Sequence, residues 1–237
     1  MSDWSTGTLG VDQWAEDLES IIAAAKPEAP VTLFGISQGA TACINYAVRH
    51  PERVARMILY GGYVHGAFRR GTPESQAGHR AMIELARVAW AQDNPTFRQV
   101  FTSRFIPGGS QEQLQWFNDL CLKTTTGDIA AKLFEARANV DIEALLAQVR
   151  TPTLVLHANK DEVIPLSEGR LLASGIAGAE FVELDSAITC FWKASPLGSS
   201  FARPCSPSSS LRRPARPPYL QHSPLASANY WGLSPKG

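Results

Sequence analysis

The chain lacks net charge, paired cysteines and long apolar runs, and each absence excludes a class of protein. Its 22 basic and 22 acidic residues balance, so we expect no general nucleic-acid binding. The four cysteines form no CxxC pair and have no ligand spacing with the five histidines, which argues against a metal site or a disulfide framework. No N-terminal targeting signal and no apolar run of about 18 residues occurs. We therefore expect a soluble, cytoplasmic protein with no membrane contact.

The most informative stretch is residues 31–40, Val-Thr-Leu-Phe-Gly-Ile-Ser-Gln-Gly-Ala, where a short apolar run ends in the pattern Gly35-x-Ser37-x-Gly39. A helical pattern, Ala40–Arg49, follows at once. A strand, a GxSxG pattern and a helix in that order are typical of a nucleophile elbow, a strand-to-helix turn so tight that glycine must flank the serine. We expect this turn to require both Gly35 and Gly39.

Such a turn gives Ser37 a chemical role. It exposes the hydroxyl above the sheet on a strained backbone, and the helix behind it directs N–H groups towards negative charge on a substrate oxygen. The sequence thus predicts that Ser37 is a nucleophile and that the Gln38 amide is an oxyanion-hole donor. The alternative is a turn in which Ser37 merely caps the following helix.

The order of patterns around this turn predicts an α/β fold. Residues 10–26 have apolar side chains at helical spacing, and strand-like apolar runs cover residues 31–37, 56–62, 151–158 and 180–186. Strand, helix and strand joined by short connections indicate parallel pairing. We expect a parallel sheet flanked by helices.

Residues 63–148 contain helical patterns and no strand-like run of useful length. Because this block is several times longer than a crossover needs, we expect a cap that shapes a substrate pocket rather than ordinary crossover helices. We expect one apolar helical stripe of Met82, Leu85, Ala86, Val88 and Ala89, and a cap core containing Phe97, Phe101, Phe105, Trp116 and Phe117. The predicted domains are core 1–62, cap 63–148, core 149–187 and a disordered tail, 188–237.

A candidate acid follows the third predicted strand. Asp161 comes three residues after Ala158, and the carboxyl ends of parallel strands meet at one rim of the sheet. Asp161 is therefore placed to orient a catalytic histidine on the same rim as Ser37; the alternative is an ordinary surface-turn aspartate. His157 lies inside the strand, too early to be the base, so we expect it to be packed or at an edge.

Together these segments resemble the α/β-hydrolase superfamily, in particular its capped esterase, haloperoxidase-like and dehalogenase-like branch. The resemblance covers residues 2–186 and is carried by Phe34–Gly39, Tyr46–Tyr60 and Thr151–Pro165. It implies hydrolysis of a small acyl, ester or related substrate without a cofactor. It also implies Ser37 as nucleophile, the Gln38 amide as oxyanion donor and Asp161 as the triad acid. Some members resemble effector portions of longer bacterial regulators.

The front of the chain departs from the family pattern. Ser2-Asp3-Trp4 resembles the family's segment just after its fourth strand. We therefore expect the earlier strands to be absent, together with the loop that supplies a second oxyanion amide. An apolar sheet edge left exposed in this way predicts poor solubility.

The C-terminal part of the chain also departs from the family pattern, because residues 188–237 contain no acidic residue and are rich in proline and serine. The family would have Asn-His here. Shifting the reading frame by one base from the end of the Ala187 codon permits Asn-His-Met-Leu-Leu-Glu-Gly-Glu-Pro-Ala-Trp, with the second Leu and the first Glu forced by the genetic code. We hypothesise an out-of-frame tail that removes the catalytic histidine; the alternative is a genuine disordered tail. His222 lies too deep in the tail to replace the base.

The sequence therefore predicts an esterase-like hydrolase by descent, crippled by the missing histidine and front strands. One alternative is a non-catalytic ligand-sensing or effector domain of a bacterial regulator. A weaker one uses the basic tail as a polyanion contact. Both the esterase-like hydrolase and the ligand-sensing domain would have a small molecule as partner. Neither the substrate nor the oligomeric state follows from the sequence.

Overall fold

A computed structural model describes residues 7–92 and 94–187. The predicted tail, 188–237, and the first six residues lie outside these ranges. The described residues form a four-stranded, fully parallel sheet in the order β1-β2-β3-β4. The strands are β1 (Val31–Ile36), β2 (Val54–Tyr60), β3 (Thr153–Ala158) and β4 (Glu180–Leu184). The helices are α1 (Val11–Ala25), α2 (Gln38–Arg49), α3 (Pro73–Ala89), α4 (Thr96–Phe105), α5 (Gln111–Thr124), α6 (Gly127–Ala138), α7 (Glu143–Leu146) and α8 (Leu166–Gly175).

The predicted fold class is confirmed, and the element ends differ by a few residues. Strand β2 begins at Val54, two residues earlier than predicted, because a short 3₁₀ turn, Pro51–Arg53, delivers the chain directly into the sheet. Strand β3 begins at Thr153, just after Pro152, whose ring nitrogen has no hydrogen to donate to a ladder. None of the described helices is long and apolar enough to cross a membrane.

The main hydrophobic core lies on one face of the sheet. The alternating inward residues of the strands, such as Leu33, Leu59 and Val155, pack against Ile44 of α2 and Leu172 of α8. This face buries the apolar stripe of each flanking helix, which is the main source of stability for a parallel sheet. The core thereby fixes the ends of the strands that carry the candidate site.

The opposite face of the sheet is more open. Tyr60 and Leu156 are buried there, whereas Phe34 is 47% exposed and Ile36 and Val182 are also exposed. Parallel sheets are normally covered by helices on both faces. Within the described residues, this face therefore exposes apolar side chains that helices usually cover.

Helices α3 to α7 form an insertion between β2 and β3, which we call the helical insertion (residues 63–148). It has a separate hydrophobic cluster, in which Trp90 contacts Phe97, Phe101 and Phe134. The predicted stripe on α3 is wrong in part, because Val88 is 67% exposed and Leu85 is also exposed. The buried residues of α3 and its C-cap are instead Ile83, Ala86, Ala89 and Trp90. This side of α3 is buried where the indole of Trp90 packs against phenylalanines of the neighbouring helices.

The two ends of the helical insertion are joined to each other by a clasp, which we define as residues 64–68 and 138–142. Backbone hydrogen bonds run from Gly66 N to Val140 O at 2.8 Å and from Ile142 N to Val64 O at 3.1 Å. A Cβ on Gly66 would lie 2.3 Å from the carbonyl oxygen of Ala138, so only glycine allows this approach. The clasp holds the entry and exit of the insertion together at the edge of the core.

Glu168 ties the clasp to the core. Its carboxylate lies at the start of α8, is buried, and accepts hydrogen bonds from the amides of Val64 and His65, both at 2.9 Å. A buried carboxylate with two charge-assisted bonds is a strong, directional attachment. It holds the first segment of the clasp, residues 64–68, against α8.

Candidate active site

Ser37 occupies the predicted turn between β1 and α2, in a rare backbone conformation. Its φ of 51° and ψ of −117° lie in a region that non-glycine residues avoid. The amide of Ser37 donates to the carbonyl of Tyr60 at 2.8 Å, which holds the turn beside the end of β2. The Ser37 side chain makes no capping hydrogen bond to α2. The helix-capping alternative therefore lacks the bond that would define it.

The two elbow glycines are not equivalent. A Cβ on Gly35 would lie 2.7 Å from the carbonyl oxygen of Gly39 and 2.8 Å from the Cα and N of Ala40, so Gly35 is required where α2 crosses β1. A Cβ on Gly39 would meet no atom within 4 Å. The prediction that the turn needs glycine at both positions is therefore wrong for Gly39, because that residue already lies in the first turn of α2 and faces open space. Gly62, which the sequence did not single out, is tightly packed against Ala40.

The amide of Gln38 is the first of α2. The first N–H groups of a helix have no acceptor within the helix and are directed along its axis. The Gln38 amide follows the serine directly, the position that supplies an oxyanion donor in a nucleophile elbow. The carbonyl of Gln38 accepts from the Thr41 hydroxyl at 2.8 Å, which fixes this first turn.

Asp161 is fixed at one oxygen and unpartnered at the other. Its Oδ1 accepts hydrogen bonds from the amides of Val163, at 2.8 Å, and Ile164, at 2.9 Å. Its Oδ2 is buried and has no hydrogen-bond partner among the described residues. A buried carboxylate oxygen without a donor is costly. The loop thus orients a free acceptor just beyond the carboxyl end of β3.

Four of the five histidines are described, and none of them bonds to Asp161. His157 is fully buried in β3, as expected, with its Nε2 3.0 Å from the carbonyl oxygen of Ile164. His65 lies 3.2 Å from a Glu143 oxygen. His50 lies 3.9 Å from a carboxylate oxygen of Glu19. The fourth, on α3, lines the cavity described next, and His222 lies outside the described residues.

A cavity opens beside Ser37, between the core and the helical insertion. Ser37, Val163 and Ile164 line it from the core, and the rest of the lining comes from the helical insertion: Tyr63, Gly66, Ala67, Arg70, His79, Met82, Phe101, Arg104, Phe105, Phe134, Arg137 and Ala138. Its volume is about 80 Å³, well above the roughly 10–15 Å³ that a cavity needs to hold one water. The cavity therefore brings Ser37 together with the Asp161 loop, through Val163 and Ile164.

The aromatic side chains of the insertion divide between core and cavity. Phe97 is buried as expected, whereas Trp116 is 48% exposed, so its assignment to the core is wrong. Phe101 and Phe105 pack on each other with ring centres 4.8 Å apart and also line the cavity. Helical spacing identifies an apolar face, but not whether that face meets another helix or a cavity.

The cavity is strongly basic, a feature that the sequence analysis missed. Arg70, Arg104 and Arg137 all line it, although they are spread over 67 residues of the chain and form no motif. His79 lies among them, and burial together with the three guanidinium charges lowers the pKa of His79 to about 4. His79 is therefore neutral at physiological pH and is a very weak base.

One group of described residues has ligand atoms close enough for a metal ion. His65, Asp141 and Glu143 bring such atoms within 4.8 Å of one another. The two carboxylates are exposed, and His65 is already within hydrogen-bond distance of Glu143. A hydrogen bond between His65 and Glu143 accounts for the contact, so we assign this group no metal. Cys43 and Cys121 are buried.

The chain is similar over most of its length to known hydrolases. A family model described as "Serine aminopeptidase, S33" (Hydrolase_4) matches residues 5–182. The AB hydrolase superfamily protein YisY of Bacillus subtilis is 29% identical over 184 residues, 72% of this chain and 63% of that protein. A 2-hydroxy-6-oxononadienedioate/2-hydroxy-6-oxononatrienedioate hydrolase of Escherichia coli is 26% identical, over 64% of this chain and 53% of that protein. The chain thus spans only about half to two thirds of these relatives.

Solved structures agree in fold. The enol-lactonase of Burkholderia xenovorans LB400 has a TM-score of 0.67 at 22% identity, covering 83% of this chain and 72% of the lactonase. The esterase EaEST of Exiguobacterium antarcticum has a TM-score of 0.68 at 21% identity, covering 81% of this chain and 70% of the esterase. With the family model matching three quarters of the chain, the parallel sheet and the turn at Ser37 have a common explanation. The chain belongs to the α/β-hydrolase superfamily, in the family described as serine aminopeptidase, S33.

Proposed function

We propose that this chain derives from an esterase-like hydrolase that attacks a small acyl or ester substrate with Ser37, and that the helical insertion acts as its cap. Asp161 is the acid that orients a histidine base, and the Gln38 amide stabilises the oxyanion. The relatives include an esterase and an enol-lactonase, which supports acyl transfer as the reaction class.

One observation carries this proposal: only one of the two carboxylate oxygens of Asp161 is hydrogen-bonded to a described residue. Its Oδ1 is fixed by two amides of its own loop, while its buried Oδ2 has no donor among the described residues. An aspartate that only closed a surface turn would expose its second oxygen to water. A buried free acceptor on the rim that also holds Ser37 is what an imidazole N–H needs.

The reaction follows from these positions. The Ser37 oxygen attacks the substrate carbonyl carbon while a base takes the hydroxyl proton, and the Gln38 N–H donates to the developing oxyanion. The C–O bond to the leaving group then breaks, and the leaving alcohol takes that proton. Water hydrolyses the acyl-serine by the same two steps, releasing the acid and restoring the serine.

The general base is the catalytic group that the described residues do not supply. None of the four described histidines bonds to Asp161, and His79, the one histidine that lines the cavity, is too weak a base. Loss of one triad member removes about 10⁴-fold or more of the rate. We therefore propose that the printed chain turns over substrate barely above background.

The test compares the printed chain with a repaired chain that continues Asn-His-Met-Leu-Leu-Glu-Gly-Glu-Pro-Ala-Trp after Ala187. We expect p-nitrophenyl acetate and butyrate hydrolysis by the repaired chain only, abolished by Ser37→Ala. The matched control is Ser174→Ala, since Ser174 is an exposed serine of α8 that bonds only to its own helix. A repaired chain no faster than its Ser37→Ala variant would refute the serine mechanism.

A second candidate is a ligand-sensing domain without catalysis. It is favoured by the absence of a bond between Asp161 and any of the four described histidines, combined with a formed cavity beside Ser37. This candidate predicts that a small ligand raises the melting temperature of both the printed and repaired chains, with no turnover by either. Turnover that depends on Ser37 would exclude it.

A further inference from the structure

We propose that the cavity contains an anion-binding subsite, built from the guanidinium of Arg137 and the hydroxyl of Tyr63, that binds a carboxylate carried by the substrate at a distance from its acyl carbon. This inference rests on the proposed function in one respect, that the acyl group lies at Ser37. It narrows the substrate class from small acyl compounds in general to those that carry a free carboxylate.

Arg137 is the least compensated cation of the cavity. It lies in the last turn of α6 and lines the cavity. Among the described residues its guanidinium has no carboxylate within 4.0 Å and makes no hydrogen bond; its close partner is the ring of Phe134, with the guanidinium carbon 4.7 Å from the ring centre. Surrounding protein lowers the pKa of Arg137 from its ordinary value, although the group stays charged. A partly buried cation without a counter-ion is a costly arrangement that an anionic ligand would relieve.

Tyr63 supplies a second, independent observation. Its side chain lines the same cavity and is only 3% exposed, yet its hydroxyl has no hydrogen-bond partner among the described residues. Buried tyrosine hydroxyls usually have a partner. Burial raises the pKa of Tyr63, and nearby Arg137 and Arg70 oppose that rise. The phenol is therefore a neutral donor at physiological pH, beside a cation.

The other two arginines strengthen the positive field without completing the subsite. Arg70 donates to the carbonyl of His65 at 2.6 Å, and Arg104 donates to the carbonyl of Glu162 at 2.8 Å. Neither forms an ion pair with a described carboxylate. Asp161 and Glu168 act on Arg70 only through longer-range attraction. Because backbone carbonyls carry no net charge, the three guanidiniums leave an excess of positive charge that would attract anions to the cavity.

The size and shape of the groups favour a small carboxylate. A guanidinium presents a planar fork that matches the two oxygens of a carboxylate, and the tyrosine hydroxyl can donate to either oxygen. The apolar walls, which include Phe134 and Met82, suit a short carbon chain between the carboxylate and the acyl group. A half-ester of a short dicarboxylic acid has this composition.

The experiment measures binding of succinate, with its neutral analogue succinamide as the comparison, to the full-length chain carrying Ser37→Ala. Because this variant cannot form an acyl-serine, failure of the proposed reaction does not affect the result. We expect succinate, and not succinamide, to bind in calorimetry and to raise the melting temperature. Arg137→Met should weaken binding about ten- to a hundredfold, and Tyr63→Phe about three- to tenfold. Arg137→Lys should give an intermediate loss, because it keeps the charge and loses the fork.

The matched control is Arg80→Met, since Arg80 lies next to His79 on α3 and is exposed outside the cavity. This control should leave succinate binding unchanged. Circular dichroism checks that each variant folds; if Arg137→Met does not fold, Tyr63→Phe and Arg137→Lys decide the question. Equal binding of succinate and succinamide, binding of neither, or unchanged binding in the folded Arg137 variants would overturn the subsite. Inorganic phosphate binding as tightly as succinate would show a general anion site and overturn the carboxylate assignment.

Discussion

The two glycines that flank Ser37 should respond in opposite directions to the same added methyl group. In Gly35→Ala the new Cβ would lie 2.7 Å from the Gly39 carbonyl oxygen and 2.8 Å from two backbone atoms of Ala40. These are backbone atoms of the first turn of α2, so no side-chain rotation relieves the clash. In Gly39→Ala the Cβ would meet no atom within 4 Å, at a position already inside the helix.

The magnitudes follow from the geometry. Overpacking of this kind costs about 1–3 kcal/mol, so Gly35→Ala should lower the free energy of unfolding by at least about 1 kcal/mol. Replacing glycine by alanine in a helix restricts the unfolded chain and adds about 0.4–1 kcal/mol, so Gly39→Ala should raise it. The two variants should therefore differ by about 1.4–4 kcal/mol. With an m-value of about 2 kcal/mol/M, this corresponds to about 0.7–2 M in the urea midpoint.

Urea unfolding of the full chain, followed by far-UV circular dichroism, measures the difference. Gly78→Ala is the matched control, because Gly78 lies on the exposed surface of α3 and an added Cβ there meets nothing within 4 Å. It should gain about 1 kcal/mol and calibrate the helix effect. If Gly35→Ala and Gly39→Ala shift the midpoint by the same amount, the close crossing of α2 over β1 is not what fixes the turn.

Variants at three further residues test other contacts. Asp161→Ala removes the acceptor of two loop amides and should cost about 1–3 kcal/mol in urea unfolding, with Asp161→Asn milder because it keeps one oxygen; equal losses would contradict the role of Oδ1. Glu168→Ala should cost about 2–4 kcal/mol, since it frees two buried amides of the clasp, and Glu168→Gln less. The pKa of His79 falls from 6.5 to about 4 on folding, so the unfolded chain binds the proton first. His79 should therefore contribute a loss of up to about 3 kcal/mol in stability as pH falls from 6.5 to 4, and His79→Gln should remove that part of the loss in pH-dependent thermal unfolding.

The fold was predictable because its signals are local. The apolar run before Ser37 and the run from Arg56 predict strands on their own, and the short connections leave parallel pairing as the simple solution. The error at α3 has a physical origin. Two overlapping stripes on that helix have similar apolar content, and contacts of Trp90 with rings on other helices decide between them. Such contacts join distant parts of the chain, which periodicity does not record.

The residues of the candidate site likewise divide into those in local sequence motifs and those that only the folded chain brings together. Ser37 and Gln38 belong to one contiguous motif, and Asp161 follows a recognisable strand end, so the sequence alone proposes all three candidate positions. Arg70, Arg104 and other cavity residues come from separate elements of the helical insertion and share no spacing. A cation also has an ordinary explanation at any helix surface, so only its position facing a cavity without a counter-ion gives it meaning.

The clasp explains how the core and the helical insertion form one pocket. Tyr63 directly precedes the first segment of the clasp, and Arg137 directly precedes the second, so the proposed anion-binding groups lie where the insertion joins the core. Glu168 holds that junction through the amides of Val64 and His65. Substrate charge would be selected at this junction, and substrate size by the phenylalanines beyond it.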